Sequence, residues 1–132
     1  MIRLYYASAV FVGVVFASGL ASAQTAFIEG HIFNKRTGIP LSGAAVRVFE
    51  HVTFGPLPVE LAAGFSDANG FYQFEIDQFL GSRATIEVVC GAATGEIRGG
   101  SSALLREGLI RRDIYLGASR KLTRCHPIIE PR

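Results

Sequence analysis

The sequence predicts an all-β fold: a single β-sandwich of about seven strands behind a removable leader. Three features point there. From Thr25 onward, short runs of period-two alternation are separated by clusters of Gly, Pro, Asn and Asp, which is the rhythm of strands and turns. The 132-residue chain opens with a short apolar segment of the export type, which leaves one small domain after its removal. Its two cysteines, Cys90 and Cys125, both lie beyond that segment.

The leader reads MIRLYYASAVFVGVVFASGLASAQ, with a single basic residue at Arg3, an apolar run from Ala9 to Leu20 and an Ala21-Ser22-Ala23 site. A membrane-spanning helix needs about twenty predominantly apolar residues. This run is shorter and is weakened by Gly13 and Gly19, so residues 1–23 are expected to be a signal peptide and Gln24 the first residue of the mature domain, 24–132. Secretion or a periplasmic location follows. A lone pair of cysteines in an oxidising compartment is expected to be bridged. The Cys90–Cys125 bond would tie a basic tail to the body and contribute about 4 kcal/mol on the loop-entropy account.

Along the mature chain, FIEGHIF places Ile28, Gly30 and Ile32 on one face and Phe27, Glu29, His31 and Phe33 on the other. Asn34 to Pro40 supplies a turn. The run from Ala44 to Glu50 alternates most cleanly, with Ala44, Val46 and Val48 inward and Arg47 outward. Pro56 and Pro58 mark an edge or loop, which leaves the opposite edge of that sheet as the better place for strand addition by a partner. Leu61, Ala63 and Phe65 alternate into Ser66-Asp67-Ala68-Asn69-Gly70, and Tyr72, Phe74 and Ile76 alternate out of it. Asn69-Gly70 tolerates positive φ and Asp67 can accept N–H groups two residues on, so this stretch reads as a hairpin turn. Its D-x-N opening is shared with calcium loops, but Gln78 stands where such a loop needs a bidentate Glu. Gly91 to Gly108, rich in Gly, Ala and Ser, reads as a mobile connection with a helical turn at Ala103-Leu104-Leu105, between strands at Ala84–Val89 and Arg112–Leu116. The expected core is Ile28, Ile32, Ala44, Val46, Val48, Leu61, Phe65, Tyr72, Phe74, Ile86, Val88, Ile114 and Leu116.

Gly30 with Ile32, Thr37-Gly38-x-Pro40, Gly43-Ala44 leading into Val46-x-Val48, and Asp67-x-x-Gly70-x-Tyr72, in that order and spacing, resemble the carboxypeptidase regulatory-like domain, a sandwich of the transthyretin-like and immunoglobulin-like type. The resemblance runs to Val89 and implies a non-catalytic accessory module of exported and cell-envelope proteins. The same fold type hosts the hydroxyisourate hydrolases, whose first strand carries a His where this chain has His31. Their Arg after the Asp-Gly turn is Phe71 here, no His stands near Arg111 and Arg112, and their Tyr-Arg-Gly-Ser ending is missing.

No catalytic residue, cofactor site or metal site is expected. The sequence holds no G-x-S-x-G, H-E-x-x-H or phosphate-cradling loop, and Ser101-Ser102 reads as linker. Thirteen basic residues against eleven acidic ones argue against nucleic-acid binding. The charge is uneven, however. Arg111, Arg112, Arg120, Lys121 and Arg124 crowd the C-terminal part and are the expected contacts for an anionic surface or an acidic protein or envelope partner.

Overall fold

The structure, a computed structural model, describes residues 24–52, 55 and 57–127. The expected signal peptide and Pro56 lie outside the described residues. Eight strands form two four-stranded sheets: β1 (Ala26–Asn34), β2 (Ala45–Glu50), β3 (Val59–Phe65), β4 (Phe71–Ile76), β5 (Arg83–Ala92), β6 (Gly95–Leu104), β7 (Gly108–Arg111) and β8 (Ile114–Leu116). In the first sheet β1 pairs antiparallel with β4 on one side and, on the other, parallel with β7 and then β8. The second runs β3-β2-β5-β6, antiparallel throughout. The all-β sandwich is as expected, with one strand more than the estimate.

Alternation builds the core. Ala26, Ile28 and Ile32 from β1, Val46 and Val48 from β2, Tyr72 and Ile76 from β4, Ile86 and Val88 from β5, and Ile114 and Leu116 from β8 all point between the sheets and are buried. Leu61 and Phe74 are partly buried against them. Phe65 departs from expectation: it is 67% exposed. A bulge between Val48 and Phe49 sets Ala62 opposite Val48 but Glu60 opposite Phe49, so the alternation of β3 changes phase at Leu61. Beyond it Ala62 and Gly64 face inward and Phe65 faces out. The Phe74 ring occupies the space over Gly64, where a Cβ would stand 3.0 Å from it.

The polar stretch 66–70 is not a hairpin turn. It joins β3 of one sheet to β4 of the other, so the chain crosses from layer to layer. Ser66 anchors the crossing from inside: its hydroxyl donates to the Leu41 carbonyl and accepts the Ala44 N–H. The Gly91–Gly108 segment is likewise corrected. It holds β6, paired with β5 from Arg83↔Leu104 to Ala92↔Gly95 through a two-residue turn at Ala93-Thr94, and Ala103-Leu104 ends that strand rather than forming a helical turn. Its inward positions are small because β8 approaches closely: a Cβ at Gly99 would lie 2.5 Å from the Leu116 side chain.

The seam between β7 and β8 fixes the first sheet. Arg112 and Asp113 interrupt the ladder across from Gly30 and His31 without shifting its register. The Arg112 carbonyl turns inward to accept the Tyr72 hydroxyl at 2.6 Å, and a Cβ at Gly30 would collide with that oxygen. The Arg112 N–H donates to the Glu29 carbonyl, and the His31 N–H to the Asp113 carboxylate. At the chain's end, Cys90 and Cys125 are bridged across a sequence separation of 35. The amide of buried Asn34 donates to the carbonyls of Ser119 and Leu122, so the tail is held on the body twice.

Burial pushes the Tyr72 phenol well above its ordinary value of 10.0; the Asp113 carboxylate adds to this and the Arg112 guanidinium opposes it. Because the folded value is raised, the stability gained by keeping the phenol neutral is complete below pH 10 and is lost as pH rises towards the folded value. Denaturant melts above pH 10 are expected to show wild-type stability falling more steeply with pH than that of Tyr72→Phe. Equal slopes would mean that this phenol is not held neutral by the fold.

Candidate functional site

His31 sits on the outward face of β1, in a row of rings. Its centroid is 5.7 Å from Phe33 and 5.2 Å from Phe71, and Phe33 stacks in turn on Tyr115 at 5.2 Å. The row follows from cross-strand register: His31 faces Phe71 on β4, and Phe33 faces Tyr115 on β8. Asp113 stands beside His31, 3.9 Å from Nδ1, but its short bond of 2.9 Å goes to the His31 backbone N–H. The ring is thus a packing element of the sheet surface, and the carboxylate next to it holds the break between β7 and β8. Asp113 escaped the sequence reading because only the parallel pairing of β8 with β1 brings it there.

Asp67 is occupied in the same manner. Its Oδ1 accepts the N–H groups of Asn69 and Phe71, both at 2.9 Å, and its backbone closes the turn to Phe71 and Gly70. Gly70, at φ 76, packs against β1, where a Cβ would stand 2.9 Å from the Ile32 carbonyl. Among the described residues no three His, Cys, Asp or Glu side chains converge as metal ligands would. Ser101 and Ser102 are strand residues of β6, and the Ser102 carbonyl accepts the Arg112 Nε–H at 3.3 Å.

At the end of the sandwich where β1 begins, an open cleft of about 580 Å³ is lined by Glu50, Val52, Val59, Leu61, Phe79 and Leu80, among others. Glu50 is its one buried carboxylate. The Leu80 and Ser82 N–H groups donate to it at 2.8–3.1 Å, which pins the β4–β5 connection. Its lone pairs are used for architecture.

The expected basic residues do not form one group. Arg111 pairs with Glu29 at 2.6 Å on the outward face of the first sheet. Arg112 lies in the break between β7 and β8, its guanidinium on the carbonyls of Arg111 and Ser102. Arg120, Lys121 and Arg124 are exposed in the tail at the opposite end from the cleft, where Arg124 bridges to Ser42. There the Asn34 clamp sets Arg120 and Lys121 beside Lys35 and Arg36 of the β1–β2 turn. Lys35 and Arg36 were missed because they lie far from the tail in sequence. On the second sheet Glu60, Arg47, Glu87, Arg98 and Glu96 form a row of ion pairs that crosses all four strands, with contacts of 2.9–3.6 Å.

No protein-family model matches the chain. No curated protein matches it either. Among solved structures the chain resembles the dioxygenase domain of a dioxygenase carbohydrate-binding protein fusion from Streptomyces sp. SirexAA-E, at 13% identity and a TM-score of 0.50, covering 74% of this chain and 82% of that one. It also resembles the catechol 1,2 dioxygenase of Acinetobacter radioresistens, at 12% identity and a TM-score of 0.53, covering 86% of this chain and 58% of the enzyme. At such identities the likeness is one of fold: a β-sandwich.

If Asp67 serves the turn alone, Asp67→Ala should lower stability by about 1–2 kcal/mol, the cost of a lost side-chain cap on backbone N–H groups. Millimolar calcium should shift the melting temperature of neither protein. A calcium-dependent rise in the wild type that Asp67→Ala abolishes would make the turn an ion site.

Proposed function

We propose that this chain is an exported β-sandwich module of the carboxypeptidase regulatory-like type, acting by binding rather than by chemistry. The observation that carries the reading is the use to which the fold puts its polar side chains. Asn34, Glu50, Ser66, Asp67 and Tyr72 each hold a turn, a crossing or a break between strands, and His31 is stacked among aromatic rings. General acid–base work needs a side chain within reach of a substrate proton and poised to exchange it. These groups are instead committed to the backbone.

The Cys90–Cys125 bridge supports an oxidising, extracytoplasmic setting, and with it secretion or a periplasmic location after removal of residues 1–23. In that setting a small sandwich presents its two sheet faces, its ends and its open edges to partners. β6, ten residues long and free of proline, lies opposite the Pro58-led β3 in its sheet and is the edge best suited to accept a partner's strand.

The competing reading, a hydrolase of the hydroxyisourate type, is tested directly. The chain from Gln24 to Arg132 contains both sheets and the bridge, and is expected to give hydroxyisourate turnover no greater than that of His31→Ala. Turnover well above the solvent rate that vanishes in His31→Ala would replace the binding module with an enzyme.

A further inference from the structure

The cations differ in how they are held. Arg47, Arg98 and Arg111 stand within 4 Å of carboxylates on neighbouring strands. The guanidinium groups of Arg106 and Arg112 lie on backbone carbonyls, and Arg83 is exposed at the start of β5. Lys35, Arg36, Arg120, Lys121 and Arg124 are all exposed, and among the described residues none of them forms an ion pair. All five lie at the same end. Asn34 accepts the Arg36 N–H through its side-chain oxygen while its amide grips the carbonyls of Ser119 and Leu122. The Lys35 N–H donates to Leu116 and the Cys125 N–H to Ser42. The acid that shares this end, Asp67, has Oδ1 turned onto two backbone N–H groups. Uncompensated like charges repel one another, so two buried ties, an amide clamp and a disulfide, keep together what electrostatics would separate.

Apolar groups sit among these charges. Ile39, 38% exposed, and exposed Pro40 follow the turn that carries Lys35 and Arg36 and lie back beside Asn34 and Phe33, and Tyr115, 57% exposed, ends the ring row at the same end of the first sheet. Cations beside an exposed aliphatic side chain, with an amphipathic ring at the margin, match the chemistry of a lipid headgroup layer. There Lys and Arg meet phosphates, and Tyr and short apolar groups enter the interface. A soluble polyanion would draw on the charges but gain nothing from Ile39.

We propose that this basic end docks on an anionic phospholipid surface, through Lys35, Arg36, Arg120 and Lys121 with Ile39 beside them. The inference rests on the binding-module reading and names its partner. It revises the grouping expected from sequence, because Arg111 and Arg112 are committed elsewhere, whereas Lys35 and Arg36 join the tail.

The test is co-sedimentation of the Gln24–Arg132 chain with vesicles of phosphatidylcholine alone and of phosphatidylcholine with phosphatidylglycerol, in low and high salt, with inorganic polyphosphate as a soluble competitor measured in parallel. Binding is expected to the acidic vesicles only and to be lost as salt screens the charges. Lys35→Glu with Arg36→Glu, and separately Arg120→Glu with Lys121→Glu, should each weaken it by roughly tenfold or more. Two pairs are used so that the test survives if one fails to fold. Ile39→Ser should weaken vesicle binding several-fold while leaving polyphosphate binding unchanged. Equal binding to neutral and acidic vesicles, no effect of either charge reversal, or binding to polyphosphate but not to acidic vesicles would overturn the proposal. None of these outcomes involves hydroxyisourate turnover, so a failed lipid site and a failed binding-module reading are told apart.

Discussion

The contact on which the rest of the molecule depends is the inward turn of the Arg112 carbonyl over Gly30, capped by the Tyr72 hydroxyl. β1 is the strand to which the whole first sheet is joined, antiparallel to β4 and parallel to β7 and β8. β7 and β8 pair with it in one register, from Glu29↔Arg111 to Ile32↔Ile114, although the ladder is broken at Arg112 and Asp113. Keeping that register across the break puts Ile110, Ile114 and Leu116 on the core side and delivers the tail to Asn34. A buried carbonyl with no donor would cost about 1–3 kcal/mol, and Tyr72 supplies that donor from within the sandwich. Gly30 is the one residue type whose backbone can lie so close to that oxygen.

From this seam the surface chemistry follows. With the tail tied to Asn34 and bridged through Cys125, the cations of two distant segments share one end, while Arg47, Arg98 and Arg111 are paired with carboxylates on the sheet faces. Exposed pairs of this kind contribute little to stability, on the order of 0–1 kcal/mol each. Their larger effect is on the field around the molecule: they neutralise those arginines, while five cations that form no ion pair among the described residues stand together at the tail end. The aromatic row has a parallel logic. His31, Phe33 and Tyr115 lean on one another along the sheet, and Tyr115 at its end stays exposed.

What the sequence made legible was local. Alternation over β1 and β2, the cysteine pair, and the turn residues Gly38, Asp67 and Gly70 each stand where their chemistry requires. The illegible parts depend on another element. β6 reads as linker because Gly99 and Ser101 are small, and they are small because Leu116 fills the space that larger side chains would occupy. Phe65 reads as core because nothing in VELAAGF announces the bulge that reverses its face. The 66–70 stretch carries hairpin chemistry, yet whether two flanking strands pair with each other or with different neighbours is a global matter. The basic end was half visible: its tail residues stood out, while Lys35 and Arg36 became part of it only through the Asn34 clamp.

The most direct test of the central claim is a double-mutant cycle between Tyr72→Phe and Asp113→Ala, followed by denaturant unfolding. Tyr72 holds the break between β7 and β8 from inside the sandwich, and Asp113 holds it from outside through the His31 N–H. If the break is one mechanical unit, the two losses should be coupled by about 0.5–3 kcal/mol. Losses that add to within about 0.3–0.5 kcal/mol would show two independent contacts, and the seam would not be the constraint on which the first sheet is built.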